Sequence, residues 1–235
     1  DHRALRRDAL NMEEWLYIQN EVAPALLKGF WVSLQLIVPS SLLGLAIGIL
    51  VGVLRVYGGW QVMAAANLFV AFFRGIPLVV QLFIWYFGLP YLKIYLTPFI
   101  ASVMGFALCS GAYHSEYVRG ALLSIKRGQM LAAQSLGFNK AQMVFSIILP
   151  QAIRRALPGC GNEIIYLIKY SSLAYMITCI ELTGEGKILA SNSFKYTEIF
   201  LIIGACYLAM TSVASVVLHR VEDSLQIPGF EHHRI

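Results

Sequence analysis

Charge is in short supply in this sequence. Only 13% of the 235 residues are Asp, Glu, Lys or Arg, against about 25% in a typical soluble domain, and the mean hydropathy is +0.66. That balance excludes a water-soluble globular domain. Cysteine is scarce too. Cys109, Cys160, Cys179 and Cys206 sit singly in apolar surroundings, without metal-ligand spacing, and read as small buried hydrophobes. No cluster of His, Cys or carboxylates has the spacing of a metal site, and the His232-His233 pair stands alone in the tail. No G-x-x-x-x-G-K-[ST] phosphate loop occurs, and Gly184-Glu185-Gly186-Lys187 has the wrong spacing for one. Long repeats, low-complexity tracts and a second domain are all missing. The net charge of +5 is not gathered on a soluble domain, which excludes a nucleic-acid binder.

What is present is hydrophobic length. Gly29–Leu54, Gly75–Leu92, Ile94–Ser115 and Ile199–Leu218 contain no Asp, Glu, Lys or Arg, and Ala156–Ile180 is interrupted only by Glu163 and Lys169. Each is near the ~20 residues that cross a hydrocarbon core, and in lipid a helix satisfies its own backbone. The expectation is an all-α integral membrane protein with five transmembrane helices. Residues 1–28 show no ordered signal-peptide regions. They read as a polar tail and an amphipathic lead-in (Trp15, Leu16, Ile18, Val22), ahead of a membrane domain over 29–220 and a C-terminal tail over 221–235. Lys126, Arg127, Lys140, Arg154 and Arg155 between spans three and four place that segment in the cytoplasm by the positive-inside rule. Five spans then leave the N-terminus outside and the C-terminus, with Arg220 and Arg234, inside; Arg3, Arg6 and Arg7 argue weakly against this. Gly44, Gly48 and Gly52 form a ridge for close helix packing, first of all within the same subunit. Trp60–Phe73 is expected partly in the interface, Arg74 as an interfacial anchor, and Glu181–Lys195 as an external loop.

The segment from Leu131 to Pro150, LAAQSLGFNKAQMVFSIILP, has the form of a rigid cytoplasmic knob: a short helix, a glycine exit and a proline that restarts a membrane helix. Ala132, Ala133, Gly137, Ile147, Leu149 and Pro150 fall on E-A-A-x3-G-x9-I-x-L-P. The segment resembles the docking loop of ATP-binding-cassette importer permeases, with Leu131 where the family has glutamate. Phe72–Pro90, Gly111–Arg119, Gly161-Asn162-Glu163 and Lys169–Leu173 add a likeness to the polar amino acid uptake permeases, running from about Gly29 to Arg220. The resemblance implies a type I importer permease bundle of five spans plus a short coupling helix. It also implies that Leu131, Ala132, Ala133, Gln134, Gly137 and Phe138, within a loop at about 126–150, meet an ATPase subunit. The family's glutamate often makes a polar contact there, which Leu131 cannot, leaving an apolar contact or one from Gln129 or Gln134.

A charged side chain at mid-bilayer costs about 2.5 to 3.5 kcal/mol and usually faces a cavity or a partner. That makes Glu163 a candidate substrate contact. Tyr170, seven residues on, lies on the same helical face. The resemblance puts a second acid there, so a phenol in its place implies a shift away from strongly cationic ligands and one carboxylate left for an α-ammonium group. Asn162, Ser171, Ser172 and Gln81 complete the candidate set, with bundle-stabilising pairing as the alternative for Glu163 and an interhelical hydrogen bond for Gln81. Glu116 and Arg119, at i and i+3, are expected to form a structural or gating salt bridge. No catalytic residue, metal or bound cofactor is expected, ATP and magnesium belonging to the partner.

The function implied is the permease subunit of an importer of polar amino acids in a bacterial or archaeal inner membrane. Its implied partners are two ATPase subunits, a second permease copy or paralogue, an extracytoplasmic substrate-binding protein and membrane lipids. A different class, an ion-coupled transporter or channel using Glu163 and Lys169, is disfavoured by the docking segment, the five spans and the lack of an inverted repeat.

Overall fold

The computed structural model describes residues 16–225. Trp15, the three N-terminal arginines, His232-His233 and Arg234 lie outside them. Eight helices follow one another among the described residues: α1 Ile18–Tyr57, α2 Trp60–Gly75, α3 Leu78–Leu92, α4 Pro98–Ser124, α5 Arg127–Ser135, α6 Lys140–Ile177, α7 Leu182–Ser193 and α8 Tyr196–Leu225.

The five expected spans fall on α1, α3, α4, α6 and α8, and the segment expected partly in the interface is α2. By length and apolarity α1 and α8 each suffice to cross a membrane, and the bent pairs α2–α3 (102°) and α6–α7 (55°) do so when each is counted as one crossing. The 27-residue α4 is long enough but is not among these apolar helices. Its position explains this. Ser102, Ser110, His114 and Ser115 are fully buried, so α4 is wrapped by protein and needs no apolar coat facing lipid. In contrast, α8 presents Leu201, Leu208 and Val213 outward.

The packing of α1 on α4 organises the bundle. A Cβ on Gly44 would lie 3.1 Å from Ser110 Oγ, one on Gly48 2.2 Å from His114 Cβ, and one on Gly52 2.8 Å from Val118. The glycine ridge therefore faces a matching four-residue ladder on α4, within the same chain. Gly111 returns the fit by receiving Ile47.

One expectation changes. The segment after Glu181, expected as an external loop, is a helix. Glu181 caps α7 by accepting from Thr183 N (2.9 Å) and Gly184 N (3.1 Å), and its carboxylate also accepts from Tyr207 Oη of α8 at 2.8 Å. Lys28 pairs with Glu185 at 2.7 Å and ties α7 to α1. At Gly75-Ile76-Pro77 the chain turns sharply between α2 and α3, as the proline in this segment leads one to expect. Proline has no N–H to continue the ladder, and Gln81 takes up the freed carbonyls.

Candidate functional site

Glu163 is 4% exposed on the inner face of α6. Tyr170 Oη donates to its Oε1, so the seven-residue spacing places the pair as the helix period requires. The Tyr170 ring rests against Phe106 of α4, centroids 6.2 Å apart. One turn along α4, Cys109 Sγ is 3.7 Å from the Phe73 carbonyl. Gln81 Nε2 donates to that same carbonyl (2.9 Å) and to Ile76 O (2.8 Å). A carboxylate, a phenol, an aromatic ring, a thiol and an amide from α6, α4 and α3 thus lie in sequence across the bundle.

The remaining candidates stand apart. Asn162 is exposed, on a different face of α6 from buried Glu163. Ser171 and Ser172 donate to the carbonyls of Ile168 (2.7 Å) and Lys169 (2.8 Å), closing their own helical turns. Gln81 belongs to the line described above, but its amide nitrogen is committed at the α2–α3 break. Lys169 does not approach Glu163; its Nζ sits 4.2 Å from the centre of the Tyr166 ring.

A second polar centre lies where α1, α2 and α4 meet. Glu116 Oε1 accepts from Arg55 (3.0 Å) and Arg74 (2.9 Å), while Oε2 accepts from Arg119 (3.0 Å). Arg55 Nε also donates to Asn67 at 2.7 Å, and Arg74 lies 5.0 Å from the centre of the Tyr113 ring. The i, i+3 pair was legible in the sequence. Arg55 and Arg74, 61 and 42 residues away, had no local signal, and Arg74, itself exposed, is tied to the bundle through Glu116.

The segment from Leu131 to Pro150 is built as a helix stop and a helix start set back to back. Gly137, with φ +82°, ends α5: Gly137 N donates to Gln134 O (3.0 Å) and Phe138 N to Ala133 O (3.1 Å), the paired bonds of a Schellman cap. Asn139 then opens α6 with a capping box closed by Gln142. Lys140 Nζ donates to the Tyr57 carbonyl at 3.2 Å, pinning the corner to the end of α1. Ala133 is the buried residue of α5, which packs on the π-helical turn Met143–Ile148 of α6. Leu131, Ala132 and Gln134 are exposed.

The family model for the binding-protein-dependent transport system inner membrane component matches residues 44–226. A probable amino-acid ABC transporter permease protein, YckA of Bacillus subtilis (strain 168), is 38% identical over 91% of this chain and 96% of its own length. The glutamine transport system permease protein GlnP of Escherichia coli (strain K12) is 38% identical over 87% of this chain and 94% of its own. A crystal structure of an amino acid ABC transporter with histidines superposes with a TM-score of 0.80 at 30% identity, covering 92% of this chain and 97% of that one.

Proposed function

Since this chain belongs to the family of binding-protein-dependent transport system inner membrane components, we infer that it is the permease subunit of an importer that carries polar amino acids into the cell. The observation that carries this reading is the match to amino-acid permeases over nearly the whole chain. The rigid corner at Gly137 supports it. ATP and magnesium are held by a separate ATPase subunit, and this chain binds neither. Two permease subunits, identical or paralogous, flank the pathway, two ATPase subunits dock at the α5 corner, and an extracytoplasmic binding protein delivers solute on the face that carries α7. The setting is a bacterial or archaeal inner membrane, with the N-terminus outside and the C-terminus inside.

Closure of the ATPase dimer moves α5, and the bundle exchanges one discrete arrangement for another because each ligand stabilises one of them. Glu163 is the substrate's anionic contact, meeting the α-ammonium group. Tyr170 already donates to one oxygen of that carboxylate. The site therefore offers a single, half-occupied acid, suited to a ligand with one positive charge.

Uptake of a panel of amino acids into proteoliposomes tests the reading. Uptake that requires internal ATP and a binding protein supports it. Uptake that follows an ion gradient with no ATPase present overturns it. Within that assay Glu163→Gln is expected to weaken solute binding by about tenfold or more, the worth of one hydrogen bond to a charged group. Unchanged affinity removes Glu163 from the substrate site.

A further inference from the structure

Between Glu116 and Glu163 the chain has no acidic residue, while Arg119, Lys126, Arg127, Lys140, Arg154 and Arg155 are all basic. Several are engaged within the chain: Arg119 on Glu116, Lys140 on the Tyr57 carbonyl and Arg155 on Ser124. Lys126 and Arg127, where the chain enters α5, take part in none of the ion pairs among the described residues. They are exposed beside the corner.

The corner itself is apolar and outward-facing. Leu131 is 63% exposed, Leu136 77%, Phe138 36% and Phe145 61%. Leu131 and Ala133 are two residues apart, about 200° around the helix, so burial of Ala133 against α6 turns Leu131 away from the chain. The Schellman cap and the capping box fix this surface before any partner arrives, which lowers the entropy lost on docking. Gln129, Ala132, Gln134 and Ser135 share the exposed surface of α5. That mixed, weakly apolar face is unlike a helix lying in a lipid interface and suits a protein groove.

We propose that the α5 corner docks as an apolar plug within a cationic rim, and that its ATPase partner carries a groove with an apolar floor and an acidic lip. The polar contact that a glutamate would make at position 131 is absent from this coupling. Leu131 and Leu136 fill the floor, and Lys126 and Arg127 meet the lip. This rests on the function proposed above and adds the chemistry of the partner surface.

The test uses the full chain in nanodiscs and the ATPase that co-elutes with it from native membranes. Binding is measured at low and high salt. Leu131→Glu is expected to weaken binding by about tenfold or more, since it places a charge on an apolar floor. Leu131→Met should stay within about threefold, as volume-conserving apolar exchanges do. Lys126→Glu with Arg127→Glu should weaken low-salt binding and remove most of its salt dependence. Leu131 is exposed, so these variants leave the packed bundle intact. Binding of Leu131→Glu as tight as the native chain, or indifference to reversal of the basic pair, overturns the proposal and leaves the permease reading standing. Failure of the native chain to bind any ATPase overturns both.

Discussion

Glu163 and Tyr170 were legible as a pair because they share one helix, and helical period alone brings them together. The reach of that rule ends with the helix. Nothing in the sequence tied Gln81 to the carbonyls of Phe73 and Ile76, or Cys109 to the first of these, because such contacts arise only when the α2–α3 break is packed against α4. Glu116 shows the same limit. Arg119 was expected beside it, but its carboxylate also serves two guanidinium groups from other helices. Removing the charge leaves three arginines facing one another with no counter-ion. Glu116→Gln is expected to lower stability by about 1.5 to 3 kcal/mol, read as a fall in the thermal midpoint of the detergent-solubilised protein. A midpoint within a degree of the native one would mean that the cluster is solvated and contributes little.

At the scale of elements, the helices were readable from hydrophobic length, and the packing of one against another was not. The glycine ridge of α1 announced close packing through composition, yet its partner on α4 is a run of Ser110, His114 and Val118 with no signature of its own. Gly48→Ala forces a Cβ to within 2.2 Å of His114 Cβ, with Ser115 N at 3.1 Å, so α1 and α4 must separate. Destabilisation of about 1 to 3 kcal/mol is expected from such overpacking, measured by thermal unfolding in detergent. A variant as stable as the native protein would show that the two helices slide freely. The α5 corner was better marked, since a glycine at a fixed distance from two alanines suggests a helix stop. Gly137→Ala retains the small size but disfavours the left-handed conformation, at a cost of about 1 kcal/mol. Faster hydrogen exchange at Gln134 to Asn139 is the expected result, and unchanged protection would count against a strained corner. The helix after Glu181 escaped the sequence reading because Thr-Gly-Glu-Gly-Lys is poor in helix formers. It forms because Glu181 caps it and α1 and α8 hold it down.

For the whole molecule, composition settled the class and basic residues gave an orientation. Sidedness can be checked with two reporters in sealed vesicles of known polarity. The native thiols give little background, since Cys109, Cys160 and Cys179 are buried and Cys206 is partly so. Asn192→Cys on α7 should react with an impermeant maleimide from the outer side, and Leu136→Cys only after the membrane is opened; the reverse pattern would invert the topology. The unbroken path of α6 has a further consequence in gearing. Its first turns lie under the α5 corner, and Glu163 follows on the same rod about 30 Å further along at 1.5 Å per residue. Swung from its lower end through about 10°, a rod of that length displaces Glu163 by roughly 5 Å, about one helical turn. A small stroke at the foot of such a lever becomes, at the carboxylate, a distance large enough to make or break a hydrogen bond to a bound solute.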